Sequence, residues 1–318
     1  PGIIWRWWAR EQGCPWNDKT CHAAAMGGHL EVLQWATEHG CPWSEHVCYT
    51  AATLGHVAVL QWAAEQGRCP WDEHIFFAAA KEGHLEVLQL ADRSGCPWFK
   101  YTCDVVAKEG HLPILKWAIM EQGCAWGPST GHAAAKGGHI EVLQWAKDHG
   151  CPWDWTICAG AAEGGHLEAL QWVREQGGPW NEYVCKSAAV GGQLEVLQWI
   201  RERGCPWNEH TCSAAATGGH LTLLQWARER GCPWNEATCS EAASGGHLAV
   251  LQWAREQGCS WDERTCFTSA RGGHLAVLRW AMEQGCPWDG QTCSAAARGG
   301  HLAVLQWARA QGCPWDER

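Results

Sequence analysis

Three residue types recur along this 318-residue chain in columns that could do chemistry: cysteine, histidine and tryptophan. Eleven cysteines sit in a loop signature close to Cys-Pro-Trp, as Cys14, Cys41 and Cys205 do, and nine more stand seven residues further on, as Cys21, Cys48 and Cys212 do, which accounts for all 20. Two thiols at a fixed spacing are the raw material of a disulfide or, with His46 or His210 between them, of a Zn site. The exceptions argue against obligate pairs at that spacing. Cys69 has Phe76, Cys124 has Gly131 and Cys185 has Gly178 in the partner position, so in three units one member is lost while the other stays. Both columns therefore read as small buried hydrophobes, with some twenty unbonded thiols kept in a reducing, cytoplasmic compartment. A thiol-based redox or metal-responsive protein using the paired columns is the alternative reading.

The histidine column is His29, His56, His84, His111, His139, His166, His220, His247, His274 and His301, with Gln193 filling the one gap. A catalytic group repeated this often is implausible, and no phosphate-cradling loop or nucleophile elbow accompanies it. No enzyme activity, cofactor or metal is expected. The tryptophan columns, typified by Trp226 and Trp234, read as core. Trp226 is expected to wedge between units, and its truncation to alanine to cost ~3–5 kcal/mol.

The elements that carry these columns follow from the spacing, which is 27 or 28 residues from one Gly-His step to the next. Taking each unit to begin after the Cys-Pro-Trp signature gives a half unit 1–16 and eleven repeats: 17–43, 44–71, 72–98, 99–126, 127–153, 154–180, 181–207, 208–234, 235–261, 262–288 and 289–315. The two longer repeats carry one extra residue each, Arg68 and a residue around Ile119-Met120.

In the 208–234 repeat, Asn208 is a good N-cap and Glu209 suits the positive end of the helix dipole. Helix A runs through Thr211 to Ala216 and stops at Gly218-Gly219. Helix B carries Leu221, Leu224 and Ala227 on one stripe, with Leu223 and Trp226 beside it, until Gly231 caps it and Pro233 prevents continuation. In the 127–153 repeat Gly127-Pro128 supplies another good helix start. Two such short helices cannot bury their apolar faces alone, so stability must come from stacking on neighbours. The fold class is all-α, a solenoid of stacked helix-turn-helix repeats. With a repeat this short, a leucine-rich repeat is the competing fold. It asks for Asn or Cys after its leucine run, whereas Leu30-x-x-Leu33-x-Trp35 continues into a helical Ala-Thr-Glu.

The units resemble ankyrin repeats on the string Ala-Ala-x-x-Gly-His-Leu-x-Val-Leu followed by Gly, for example Ala24-Ala25-Met26-Gly27-Gly28-His29-Leu30-Glu31-Val32-Leu33 with Gly40. The match covers the whole chain. In that frame Cys41 stands where the family has Ala after the Gly, Trp43 where it has a buried Val, and Cys21 where it has the Leu of its Thr-Pro-Leu-His box, which is itself absent. The family repeat is about 33 residues long, and the residues missing here are those of its β-hairpin finger. The resemblance implies an ankyrin-like array without fingers. It also implies a His that braces the turn between helices, and partner binding on the concave side lined by helix A.

Which columns vary is the internal guide to where a partner would bind. Counting from the loop Cys as zero, offsets 10, 11 and 14 are almost always Ala, Ala and Gly, whereas offsets 5, 8, 9 and 12 vary freely and share one face of helix A. Candidate partner-binding residues on this stripe are Lys19, His22, His46, Tyr49, His74, Phe77, Tyr101, Asp104, Tyr183, Lys186, His210, Arg264 and Phe267. All three tyrosines of the chain are among them, and aromatics of this kind are favoured at interface hot spots. The function expected is a protein-interaction scaffold.

Net charge is −10 with acidic residues spread throughout, so no basic stripe is available for nucleic acid. No apolar run reaches the ~18 residues of a membrane span, and a monomer is expected. The chain starts in mid-unit and finishes on the unit signature without polar capping repeats, so it is expected to be an excerpt of a longer array.

Overall fold

A computed structural model describes residues 17–99 and 101–313. The half unit 1–16, with Cys14, lies outside the described residues, as does the final signature beyond Cys313. The described residues form 22 α-helices and no strand. They fall into two compact units that divide between Trp126 and Gly127.

In the first unit helix A spans Asp18–Met26, His46–Thr53, Glu73–Glu82 and Thr102–Lys108, and helix B spans Leu30–Glu38, Val57–Glu65, Leu85–Arg93 and Leu112–Met120. In the second, helix A spans Pro128–Lys136, Trp155–Gly164, Glu182–Val190, Glu209–Thr217, Glu236–Ser244, Glu263–Arg271 and Gly290–Arg298. The helix B segments there are Ile140–Asp148, Leu167–Glu175, Leu194–Glu202, Leu221–Glu229, Leu248–Glu256, Leu275–Glu283 and Leu302–Ala310. Within each unit, helix A packs on helix B of its own repeat and on helix A of the next. None of these helices is long and apolar enough to cross a membrane.

The start and stop signals work as their chemistry requires. The side chains of Asn181, Asn208, Asn235, Asp262 and Asp289 each accept from the backbone N–H two residues on, satisfying one of the free donors of helix A. Gly127 and Pro128 open their helix as the sequence suggests. Alanines at offsets 10 and 11 let neighbouring A helices approach closely, and Ala215, Ala216, Ala242 and Ala243 are fully buried. At Gly160 the approach is closer still, since a Cβ there would stand 2.3 Å from the carbonyl oxygen of His132. Helix B contributes Leu223, Leu224 and Ala227 to the core, with Leu221 and Trp226 half-buried at its edge.

The two extra residues are absorbed after helix B. In most repeats the loop Cys N–H donates to the carbonyl five residues back, as Cys41 does to Ala36, but at 44–71 the N–H of Arg68 takes that bond to Ala63. At 99–126 helix B is unbroken through Met120, and the turn of Glu121 to Gly123 widens so that the Cys124 N–H reaches Ala118. The insertion therefore lies just beyond the Ile119-Met120 step, where no helical ladder is interrupted.

Candidate functional site: the helix A face and the columns behind it

Offset 5 projects from the start of helix A and is exposed in most repeats, Thr156 and Ala237 being half-buried. Lys19, His46, His74, Tyr101, Tyr183, His210 and Arg264 are all exposed, with Tyr101 at 60% and Tyr183 at 42%. Offset 6, one residue on, is buried as Val47, Ile75, Val184 or Thr211. The helix thus separates its two faces within a single step.

Offset 8 behaves differently from the sequence expectation of one uniform stripe. Only Tyr49 is exposed, at 47%. His22, Phe77, Asp104, Lys186 and Phe267 are half-buried, and Ala159, Ser213 and Ser240 are buried, because helix A of the neighbouring repeat leans over this position. His22 Nδ1 lies 3.3 Å from the Thr50 hydroxyl of the next repeat, and Phe267 packs against the core that holds Ala270 and Leu278. Offset 12 links neighbours in the same way. Lys136 donates to Glu163 at 2.6 Å, and the Thr217 hydroxyl to Glu241 at 3.1 Å.

One part of the stripe forms a cleft. Glu45, His46 and Tyr49 on one helix A face Pro70, Asp72, His74 and Ile75 of the next repeat around a cavity of about 350 Å³. Three of its residues were on the sequence-derived stripe. Glu45, Pro70 and Asp72 were not, because they occupy cap and loop positions whose side chains look purely structural in sequence, and Ile75 was not, because it is the buried offset-6 residue of helix A. Asp72 is indeed the N-cap of its helix, accepting from the Ile75 N–H at 3.0 Å.

Behind this face histidines of the column tie one repeat to the one before it inside each unit. His84 Nε2 stands 2.9 Å from the Thr53 carbonyl, His111 Nε2 2.7 Å from that of Lys81, and His274 Nε2 2.9 Å from that of Ser244. Each acceptor closes helix A of the preceding repeat. The brace therefore runs between repeats, whereas the resemblance implies a brace within a turn.

The tryptophans form a second seam between repeats. The loop Trp that ends one repeat meets the helix B Trp of the next edge-on: Trp207 with Trp226 at 6.0 Å, Trp234 with Trp253 at 5.8 Å, and Trp261 with Trp280 at 5.8 Å. Arg174, Arg201, Arg228 and Arg255 lie 3.8–4.1 Å from the ring centres of Trp180, Trp207, Trp234 and Trp261. Each guanidinium also donates to a loop carbonyl, that of Gly178, Cys205, Cys232 or Cys259. Most of these rings are half-buried rather than core, Trp117 and Trp145 being buried.

The cysteines do pair, but not at the seven-residue spacing weighed from the sequence. A loop Cys does not face the Cys seven residues later. It folds back onto helix A of its own repeat, because the Cys-Pro-Trp loop returns to the start of that helix: the Sγ of Cys205, Cys232 and Cys259 lies 3.3–3.5 Å from the carbonyl of the N-cap residue, Asn181, Asn208 or Asn235. Its partner is the helix A Cys 20 or 21 residues earlier. Cys21 and Cys41 are 3.2 Å apart at sulfur, and Cys103 and Cys124 are joined by a disulfide, which corrects the expectation that every thiol is unbonded. Thiol–thiol hydrogen bonds likewise join Cys48 to Cys69, Cys185 to Cys205, Cys212 to Cys232, Cys239 to Cys259, Cys266 to Cys286 and Cys293 to Cys313, all of them unbonded thiols.

Burial dominates the acidity of Cys21, Cys158 and Cys313, whose thiols are pushed up to about 12. Cys205 and Cys259 are held below the ordinary thiol range, chiefly by the hydrogen bond from the partner thiol, with Arg201 or Arg255 adding to it. Among the described residues no group of three or more His, Cys, Asp or Glu side chains is placed to hold a metal ion.

The geometry defines a helical-repeat protein whose repeats are joined by histidine and tryptophan seams. No family model matches the chain, and no curated protein does. Among solved structures, the human ASB11 ankyrin repeat domain is similar at 16% identity over 58% of this chain and 99% of that one, with a TM-score of 0.42. The pentatricopeptide repeat protein PPR10, solved in complex with an 18-nt psaJ RNA element, is similar at 14% identity over 98% of this chain, with a TM-score of 0.36. The match spans 56% of the PPR10 chain.

Proposed function

We propose that the chain is a protein-binding array, built of ankyrin-type repeats shortened by their fingers, that engages a protein partner through the exposed positions of its A helices. The observation that carries this reading is the cleft of Glu45, His46, Tyr49, Asp72 and His74. It sets an exposed aromatic among polar groups in a concave site of a size that admits a side chain. Tyr101 and Tyr183, exposed at offset 5 of their own repeats, the position of His46 and His74, supply further aromatic anchors on the same stripe. The carboxylates of Glu45 and Asp72, on a chain of net charge −10, suit a basic side chain of the partner and disfavour nucleic acid.

The test is affinity capture from cell lysate with the full chain, comparing wild type with the Tyr49→Ala/Tyr101→Ala double variant by quantitative mass spectrometry. Loss of a specific set of proteins from the variant supports the reading. Equal recovery by both proteins overturns it.

A further inference from the structure

The eight cysteine pairs recur in one geometry, although the spacing of the two partners in sequence does not suggest it. Each joins the middle of helix A to the loop that ends the same repeat, and nearly all of these sulfurs are buried, Cys185, Cys205, Cys212, Cys232 and Cys239 completely. The positions stay matched where a cysteine is missing. Cys158 lies against Gly178, where a Cβ would come within 3.3 Å of its sulfur. Across from Cys96, at 76, a phenylalanine fills the space and packs on Trp98 at 5.1 Å. The pair is thus a substitutable feature of the repeat, not a condition of its folding, and in Cys103–Cys124 it already carries a bond.

We propose that these pairs are oxidative modification sites, each converted by a peroxide or a small-molecule disulfide into an intrarepeat disulfide that staples the loop to its own helix A. With a peroxide, the loop sulfur attacks one oxygen, the O–O bond breaks and water leaves, giving a sulfenic acid. The helix A sulfur then attacks that sulfur. The S–S bond forms, the S–O bond breaks, and a second water carries away the remaining thiol proton. Two thiols are oxidised by two electrons and the peroxide is reduced to two waters.

The polarity of some pairs suits this order of events, while in the 44–71 repeat the bond to Cys48 and burial raise the loop thiol, Cys69, instead. In the 181–207 and 235–261 repeats the loop thiol is the more acidic member, through the hydrogen bond from its partner with Arg201 or Arg255 assisting, while the helix A thiol is held protonated by its bond to the loop sulfur and by burial. The loop Cys follows directly on the left-handed Gly204 or Gly258 of the turn after helix B. A staple across 20 residues restricts the unfolded repeat and so stabilises the folded one.

The test uses the purified full chain, reduced and then exposed in the native state to hydrogen peroxide or to oxidised glutathione, quenched by alkylation and mapped by peptide mass spectrometry. Cross-links Cys185–Cys205, Cys212–Cys232, Cys239–Cys259 and Cys266–Cys286 are expected, each with loss of two hydrogens and each reversed by dithiothreitol. The melting midpoint of the oxidised protein should lie above that of the reduced protein. In Cys185→Ala, oxidised glutathione should leave a glutathione adduct on Cys205 while the other cross-links still form. Complete alkylation of all thiols, stable adducts on the wild-type pairs, or cross-links at the seven-residue spacing such as Cys205–Cys212 would overturn the proposal.

Discussion

The imidazole Nε2 of His247 lies 2.9 Å from the carbonyl oxygen of Thr217, 30 residues earlier, and the same ring lies against Gly219 of that earlier repeat. One side chain therefore satisfies an orphan carbonyl at the end of a helix and fills the space that a missing Cβ leaves open. Gly219 has φ +74°, and a Cβ there would stand 2.5 Å from His247 Nδ1. Gly219→Ala should thus suffer both backbone strain and overlap with the ring, a loss of about 2 kcal/mol or more. His247→Ala should cost about 1 kcal/mol for the lost hydrogen bond and ring packing, since water can take the exposed Thr217 carbonyl. His247→Gln should cost less, because Gln193 serves in this column. Urea midpoints of the three variants check the order, and a Gly219→Ala midpoint equal to wild type would refute the interlock.

A different column points to stabilisation. The hydroxyls of Thr211, Thr238, Thr265 and Thr292 are buried without a hydrogen-bond partner, while the same offset is filled by Val47, Ile75, Ile157 and Val184 elsewhere. Replacing such a threonine by valine keeps the shape and removes a desolvated hydroxyl, so Thr211→Val should gain about 1 kcal/mol. Thr211→Val/Thr238→Val should raise the thermal midpoint further than either change alone. Scanning calorimetry decides it, and a lowered midpoint would mean that these hydroxyls are satisfied in solution.

The features legible in the sequence were those fixed within one repeat. The caps at Asn208 and Gly127-Pro128, the Gly-Gly turn and the apolar stripe of helix B are local signals, and each is found where the periodicity places it. What sequence could not give was which neighbour a side chain meets. The ankyrin resemblance implies a brace inside its own turn at His247, yet the acceptor is in the preceding repeat. The seven-residue spacing sets Cys205 beside Cys212 in sequence, whereas the loop turns back to Cys185. The offset-8 residues share a helical face with offset 5, but the lean of the next helix covers Phe267 and Ser213 and leaves Arg264 exposed. Periodicity along one helix carries no information about that lean.

Thiol burial makes the stability of the array fall in alkali. Cys158 has no cysteine opposite it, and burial pushes its thiol up to about 12, above the ordinary 9. Below pH 9 the thiol is neutral in both folded and unfolded chains and the full stability is present. As pH rises from about 9 toward 12, the unfolded chain releases the proton while the folded one retains it, so stability is lost across that window. Cys21 and Cys313 should add to the same loss. Guanidinium melts of the reduced protein at pH 8 and pH 10.5 test this, and Cys158→Ala should lessen the fall. A flat profile would show that the thiols titrate as exposed groups do.

The tryptophan seam allows the sharpest estimate, because the structure lowers the one drawn from sequence. Trp226 was expected to cost ~3–5 kcal/mol on truncation, the value for a fully buried ring. Its ring is half-buried, meeting Trp207 edge-on at 6.0 Å with Arg230 5.8 Å from its centre. Half the apolar area plus one aromatic pair puts Trp226→Ala nearer 2–3 kcal/mol, on the order of what such terms supply. Trp226→Leu should lose only about 1 kcal/mol, since Leu90 occupies this column in its own repeat and keeps most of the aliphatic contact. Trp207→Ala combined with Trp226→Ala should be less than additive, because either change alone already breaks the ring pair. Strict additivity in the double-mutant cycle would mean that the two rings do not couple across the repeat boundary.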